Sequence, residues 1–246
     1  MEGRNMMHLL LPIICVFSSN IARADVIEQA IGFYNNGALV HASELANPEG
    51  NGWLKIVRGR GRRYGSTELL DLLTGAAAEI HANFPAGERL QIADIAQEQG
   101  GRISGHDSHQ NGLDADIIYF RMNHQEQDPS DDSGLHEIFV AKGKVTPNFD
   151  LERNWRLVQK LAASNQVNRI FMDPVIKLAL CDYAKSIHEF SEDSDALRRI
   201  RPLVNHQNHM HVRINCPANS PKCTVQEDPP LGSGCSTTNE LIQEIE

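Results

Sequence analysis

Five of the chain's eleven histidines fall in two short windows. The first runs Gly105-His106-Asp107-Ser108-His109-Gln110-Asn111-Gly112-Leu113-Asp114-Ala115-Asp116, and the second His206-Gln207-Asn208-His209-Met210-His211. Imidazole nitrogens and carboxylate oxygens are the donors zinc takes outside thiolate sites, and a catalytic zinc keeps three protein ligands with a fourth position for water. His109 and Asp116 place one donor on a turn and one on the strand that the turn feeds, and Gly112 between them lets the chain bend back. His211 brings a third donor from a separate strand. Residues two apart on a strand share a face, so His209 lies beside His211, able to touch the metal's water without being a ligand. Such a water ionises near pH 7, and a neighbouring imidazole can carry its proton.

Each feature alone has a blander reading. A His-x-His pair often decorates an exposed strand, His106 suits a solvated turn, and Asp114 suits a salt bridge to a neighbour. The two windows together point to a divalent metal centre. Two imidazoles and one carboxylate also suit non-haem iron, and export into an oxidising compartment argues against that oxygenase alternative.

The elements that must position these groups can be read from the rest of the chain. Residues 25–65 are rich in Gly and Asn with short apolar alternations, which predicts loops and small strands. Ser66-Thr67-Glu68 opens a helix with Leu69, Leu72, Leu73, Ala76 and Ile80 on one face, stopped by Phe84-Pro85. Strands are expected over Leu90 to Ile95, Ala115 to Phe120, Val167 to Met172 and Met210 to Ile214. Trp155, Val158 and Leu161 mark a second amphipathic helix, Asp173-Pro174 starts a third, and Asp195 to Val204 suggests another that ends near Pro202. The acidic stretch from Gln125 to Ser133 reads as an exposed loop, and the Pro-, Gly- and Ser-rich residues from Cys216 onward as a disulfide-held tail. The irregular interleaving predicts a single α+β domain, with a small antiparallel sheet bearing the zinc site and helices and loops around it.

Composition narrows the function classes. The 246 residues suffice for a sizeable core, and 41% hydrophobic with 22% charged residues is ordinary for a globular protein. A formal net charge of -9 gives nucleic acid no electrostatic purchase, so it is set aside as a partner. At the N-terminus Arg4, the short apolar run Leu9 to Phe17 and the small residues of Ala22-Arg23-Ala24 read as a cleavable leader over residues 1–24. The expected mature chain, residues 25–246, is then exported with no membrane span. The leader would carry off Cys15 and leave Cys181, Cys216, Cys223 and Cys235, an even number suited to disulfides in an oxidising compartment. Four cysteines allow three pairings, and the residues alone do not choose among them.

His109 and Asp116 with His209-Met210-His211 resemble the metal signature of the lysostaphin, D-Ala-D-Ala peptidase and hedgehog family. The resemblance is closer to one branch, the penicillin-insensitive murein endopeptidases. It includes Gly100-Gly101, Gly105 to Gln110, Gly112 to Asp116, Arg62-Arg63-Tyr64, Arg169-Ile170-Phe171 and His206 to Cys216, and covers the chain from about Ile31 to Cys235. It implies zinc held by His109, Asp116 and His211, with His106 as a further ligand or a group just behind the ligands. It implies His209 as the catalytic histidine, His206 as a substrate or transition-state contact, and Cys181–Cys235 and Cys216–Cys223 as disulfides. The implied activity is cleavage of the D-alanyl to meso-diaminopimelyl cross-link of peptidoglycan, in the periplasm. Two family features are not matched: a cysteine near Ala38, and a second metal site near Gly143, where Lys142 and Lys144 stand instead. Within the same family, a D,D- or L,D-carboxypeptidase and a non-catalytic zinc-binding module associated with the wall are the alternatives.

Overall fold

A computed structural model describes residues 27–245 of the chain. The expected leader, its cleavage site and Cys15 lie outside the described residues. Six short strands open the fold: β1 (Gln29–Phe33), β2 (Asn36–Val40), β3 (Ser43–Glu44), β4 (Glu49–Gly50), β5 (Trp53–Lys55) and β6 (Tyr64–Gly65). Helix α1 (Thr67–Asn83) follows, N-capped by the Ser66 side chain, which accepts from the Leu69 amide and satisfies one of the helix's orphan donors. Next come β7 (Leu90–Ile92), β8 (Asp114–Ile118), β9 (Val140–Ala141), β10 (Lys144–Val145) and α2 (Leu151–Ala162), the last capped by Asp150. The chain continues through β11 (Val167–Met172), α3 (Pro174–Ser186), α4 (Asp195–Arg199), β12 (Ile200–Pro202), β13 (His209–Ile214) and α5 (Cys235–Ile245).

The main sheet has seven strands in the order β12-β11-β13-β8-β7-β5-β4. This corrects the expectation of a small antiparallel sheet. The sheet is mixed, because β11 runs parallel to β12 and β5 parallel to β7. Both strands that make it so are three residues long, too short for an alternating pattern to register. The same brevity hid β12 inside an expected helix: α4 stops at Arg199, and Ile200–Pro202 leaves it to pair with β11. Pro202 has no amide hydrogen to donate and is tolerated there because β12 is an edge strand. The tail also differs. Coil fills residues 216–234, but Cys235–Ile245 is helical, packs against α3 and is bonded to it through Cys181–Cys235.

The pleat sorts side chains to two faces. Ala115 and Ile117, Met210 and Val212, and Ile170 and Met172 point to the helical side, where Leu69, Leu73, Ala76, Trp155, Val158 and Leu161 complete one core. Asp114, Asp116, His209, His211, Arg213 and Phe171 occupy the alternate positions and therefore share the opposite face. Burial of the helical side fixes the register, and a slip of one residue would exchange the two sets. Among the described residues, no helix is long and apolar enough to cross a membrane.

Candidate active site

The site is built on the pairing of β8 with β13, in which His211 stands opposite Asp116 and Arg213 opposite Asp114. His109 arrives from the loop before β8. Its backbone is left-handed, φ 64°, as is that of Gly112, φ 74°. At Gly112 a side chain would meet Leu39 Cδ2 at 2.6 Å, so the turn needs glycine both for conformation and for room. The reversal buries the His109 side chain completely.

Hydrogen bonds fix how each ring presents itself. His109 Nδ1 donates to the Ile95 carbonyl at 2.7 Å, which leaves the Nε2 lone pair facing Asp116 Oδ1 at 3.3 Å. His211 Nε2 lies 2.6 Å from Asp114 Oδ1, and its Nδ1 stands 3.2 Å from Asp116 Oδ1. His106 spans two carboxylates, with Nε2 3.1 Å from Asp94 Oδ2 and Nδ1 3.6 Å from Asp116 Oδ2. The Asn208 amide nitrogen donates to the Leu135 carbonyl, which turns its oxygen to His209 Nδ1 at 2.6 Å. His209 Nε2 then lies 3.5 Å from Asp116 Oδ1. His206 anchors its Nδ1 on the Val204 carbonyl at 3.0 Å, and its ring sits 4.9 Å from that of His209.

Four imidazoles thus surround one carboxylate, yet His109 Nε2 and Asp116 Oδ1 are buried without a hydrogen-bond partner. Orphaned polar atoms at this depth cost stability unless something else satisfies them. The spacing identifies what fits. Donors about 2.1 Å from a tetrahedral zinc stand about 3.4 Å apart, and the nitrogen–oxygen separations around Asp116 run from 3.2 to 3.6 Å. Donor atoms of His106, His109 and Asp116 lie within 4.8 Å of one another. A divalent cation fits this donor set.

Electrostatics separates the rings. Burial pushes His209 down to about 4, against the pull of the Asp116 charge, so its imidazole is neutral at pH 7. Burial likewise lowers His206. Burial would lower His211 as well, but its contacts with Asp114 and Asp116 outweigh that and raise it to about 9. A carboxylate behind a ring orients it and makes its other nitrogen a stronger donor. Asp114 itself is fully buried; that would raise its carboxyl, but Arg213 and His211 hold it well below the ordinary range. Arg213 Nε donates to Asp114 Oδ1 at 2.5 Å, and its guanidinium covers the Tyr34 ring at 3.6 Å.

The histidines and Asp116 singled out in the sequence are therefore brought together. The expected pairings of the cysteines are present as bonds, Cys181–Cys235 and Cys216–Cys223. Asp114 does make the salt bridge considered for it, and in addition supports His211. Sequence reasoning missed Asp94, which receives Arg60 at 3.0 Å, Arg62 at 2.8 Å and His106, and it missed Asn208 behind His209. Asn208 sat beside His209 in the second window. Asp94 carried no signal, since it lies on an unremarkable segment. A cleft of about 530 Å³ opens over the group, with Tyr34, Ser108, Phe171, Leu203 and Val204 along its walls.

Converging imidazoles and carboxylate on a sheet face, an uncharged imidazole at the edge and an open cleft define a metallopeptidase. Comparison with known proteins agrees. The family profile described as penicillin-insensitive murein endopeptidase matches residues 30–244. The penicillin-insensitive murein endopeptidase of Yersinia pestis bv. Antiqua (strain Antiqua) is 36% identical over 217 residues, 86% of this chain and 75% of the relative. That of Haemophilus influenzae is 36% identical over 211 residues, 83% and 70% of the two chains. That of Pectobacterium atrosepticum is 34% identical over 211 residues, 84% and 72%. The chain belongs to the penicillin-insensitive murein endopeptidase family. Its two disulfides suit an extracytoplasmic location.

Proposed function

We propose that the chain is an exported zinc endopeptidase that hydrolyses the D-alanyl to meso-diaminopimelyl cross-link of peptidoglycan in the periplasm, after removal of residues 1–24. The observation that carries this reading is the pair of buried, unpartnered donors, His109 Nε2 and Asp116 Oδ1, with His211 Nδ1 3.2 Å from that oxygen. His109, Asp116 and His211 would hold the zinc, with His106 as an additional ligand or its immediate support. When bound there, zinc supplies Lewis-acid activation of water and of the scissile carbonyl.

The other steps belong to the side chains. Asn208 occupies His209 Nδ1, so Nε2 is the atom that takes a proton from the attacking water. The same nitrogen then delivers that proton to the leaving amine as the carbon–nitrogen bond breaks, which restores neutral imidazole. His206, its Nδ1 committed to Val204, offers Nε2 to the substrate carbonyl or the oxyanion that forms from it. Phe171 lies 5.4 Å from His211, ring to ring, and walls the cleft beside the reacting bond.

Digestion of purified peptidoglycan with metal-reconstituted protein tests this reading. Cross-linked dimers should disappear without release of free D-Ala, and one zinc per chain should be found. His209→Ala should abolish hydrolysis and keep the zinc, whereas His211→Ala should lose the metal. Free D-Ala as the main product would make the enzyme a carboxypeptidase, iron as the native metal would replace zinc, and full activity in His209→Ala would remove that residue from its role.

A further inference from the structure

The row of the sheet that holds the metal donors continues past them. His211 is paired with Asp116 on one side and with Phe171 on the other, and Phe171 is paired with Arg201. Register partners on adjacent strands point to the same face, so Asp116, His211, Phe171 and Arg201 form one line across four strands. The neighbouring row carries Arg213 opposite Arg169. Arg201 is on the edge strand, two strand spacings or about 10 Å from His211. A guanidinium on its flexible stem can cover several ångströms of that gap.

The arginines differ in what they are bonded to. Arg213 is committed to the Asp114 carboxylate. Arg169 donates to the Asn168 side-chain oxygen at 2.7 Å and to the Glu227 carbonyl at 2.6 Å; among the described residues it makes no ion pair, and the nearby Asp228 acts on it only through its charge. Among the described residues, no carboxylate lies within ion-pairing distance of Arg201. Arg169 also lies close enough to Arg213 and Arg201 for their charges to add to the effect of burial in lowering it. A half-buried cationic corner has therefore formed beside the cleft, at the far end of the line that starts at the metal donors. Arg213 and Arg169 have the Asp114 and Asp228 charges near them, whereas Arg201 has no carboxylate partner among the described residues, and a guanidinium so placed suits an external anion.

We infer that Arg201, seconded by Arg169, is a subsite for a free carboxylate on the peptide stem next to the scissile bond. The inference rests on the peptidase reading and deepens it. Phe171 would floor the path between the two ends, while Arg201 fixes how far along the groove the peptide can slide. Arg201 is a positioning residue for ground-state binding, because a carboxylate remote from the bond is equally charged before and during cleavage.

The test compares a cross-linked muropeptide dimer carrying its free carboxylates with the same dimer amidated at those groups, against wild-type protein, Arg201→Gln and Arg201→Lys. For the acidic dimer, Arg201→Gln should raise KM about tenfold with kcat unchanged, and Arg201→Lys should recover part of the loss. For the amidated dimer, the wild type and Arg201→Gln should have equal KM. Calorimetric binding of the same dimers to the zinc-loaded His209→Ala protein gives a readout independent of turnover, where amidation should weaken binding about tenfold only while Arg201 is present. Equal binding of the acidic dimer with and without Arg201 overturns the subsite. Carboxylate- and Arg201-dependent binding with no hydrolysis by wild-type protein would keep the subsite and defeat the peptidase reading instead.

Discussion

Asp114→Asn is the substitution that most directly tests how the sheet builds the site. The carboxylate is fully buried and accepts two charge-assisted hydrogen bonds, from His211 Nε2 at 2.6 Å and from Arg213 Nε at 2.5 Å. Asparagine has nearly the same shape but no charge, so Arg213, also buried, loses its counter-ion. Breaking a buried pair by removing one partner costs about 3–5 kcal/mol. For a chain of this size each kcal/mol shifts Tm by about 2–4 °C, so the expected fall is about 6–20 °C. A separate loss concerns the metal. With the carboxylate behind His211 gone, zinc affinity should fall about 10–100-fold. Thermal unfolding of the zinc-free protein and competition titration with a chromophoric chelator read the two effects apart. Adding Arg213→Met removes the unpaired cation, so the double variant should regain much of the Tm and none of the affinity. Zinc affinity within twofold of wild type in Asp114→Asn, or its recovery in the double variant, would refute the claim that Asp114 orients the ligand.

Other outcomes follow from the same structure. Burial would raise Asp94, but the contacts with His106, Arg62 and Arg60 outweigh it and hold it at about 2, below its ordinary 3.8. A carboxyl lowered by folding contributes stability above pH 3.8 and loses it as pH falls towards 2. Denaturation midpoints should therefore drop more steeply over pH 4 to 2 for wild type than for Asp94→Asn, and parallel curves would disprove the linkage. The disulfides close loops of different length, with sequence separations of 54 for Cys181–Cys235 and 7 for Cys216–Cys223. Chain-entropy estimates give about 4 and about 2.5 kcal/mol, so the paired serine variant at 181 and 235 should lose more Tm than that at 216 and 223. The reverse order would show that the short loop matters through native contacts instead.

Local chemistry made part of this protein readable in one dimension. Residue type and spacing sufficed for the two histidine windows, because a metal's demand for nitrogen and oxygen donors is indifferent to the fold that delivers them. The start and apolar face of α1, the apolar face of α2 and the start of α3 were legible for a similar reason: Ser66 with Leu69 and Leu73, or Asp173 with Pro174, act within a few residues of each other. What escaped was set by partners far away in the chain. Strands β5 and β12 exist because β7 and β11 offer them free edges, and three residues hold no periodicity of their own. The C-terminal helix from Cys235 is anchored by α3 and a bond to Cys181. Asp94 gains its part only when Arg60, Arg62 and His106 close on it, and Asp114 becomes a support for His211 only through the β8–β13 register. Sequence alone offered the residues whose types could bind a metal. Which carboxylate stands behind which imidazole, and that Arg201 shares the row of Asp116 and His211, was decided by strand pairing, whose partners are remote along the chain and whose energy lies in burial of the opposite face.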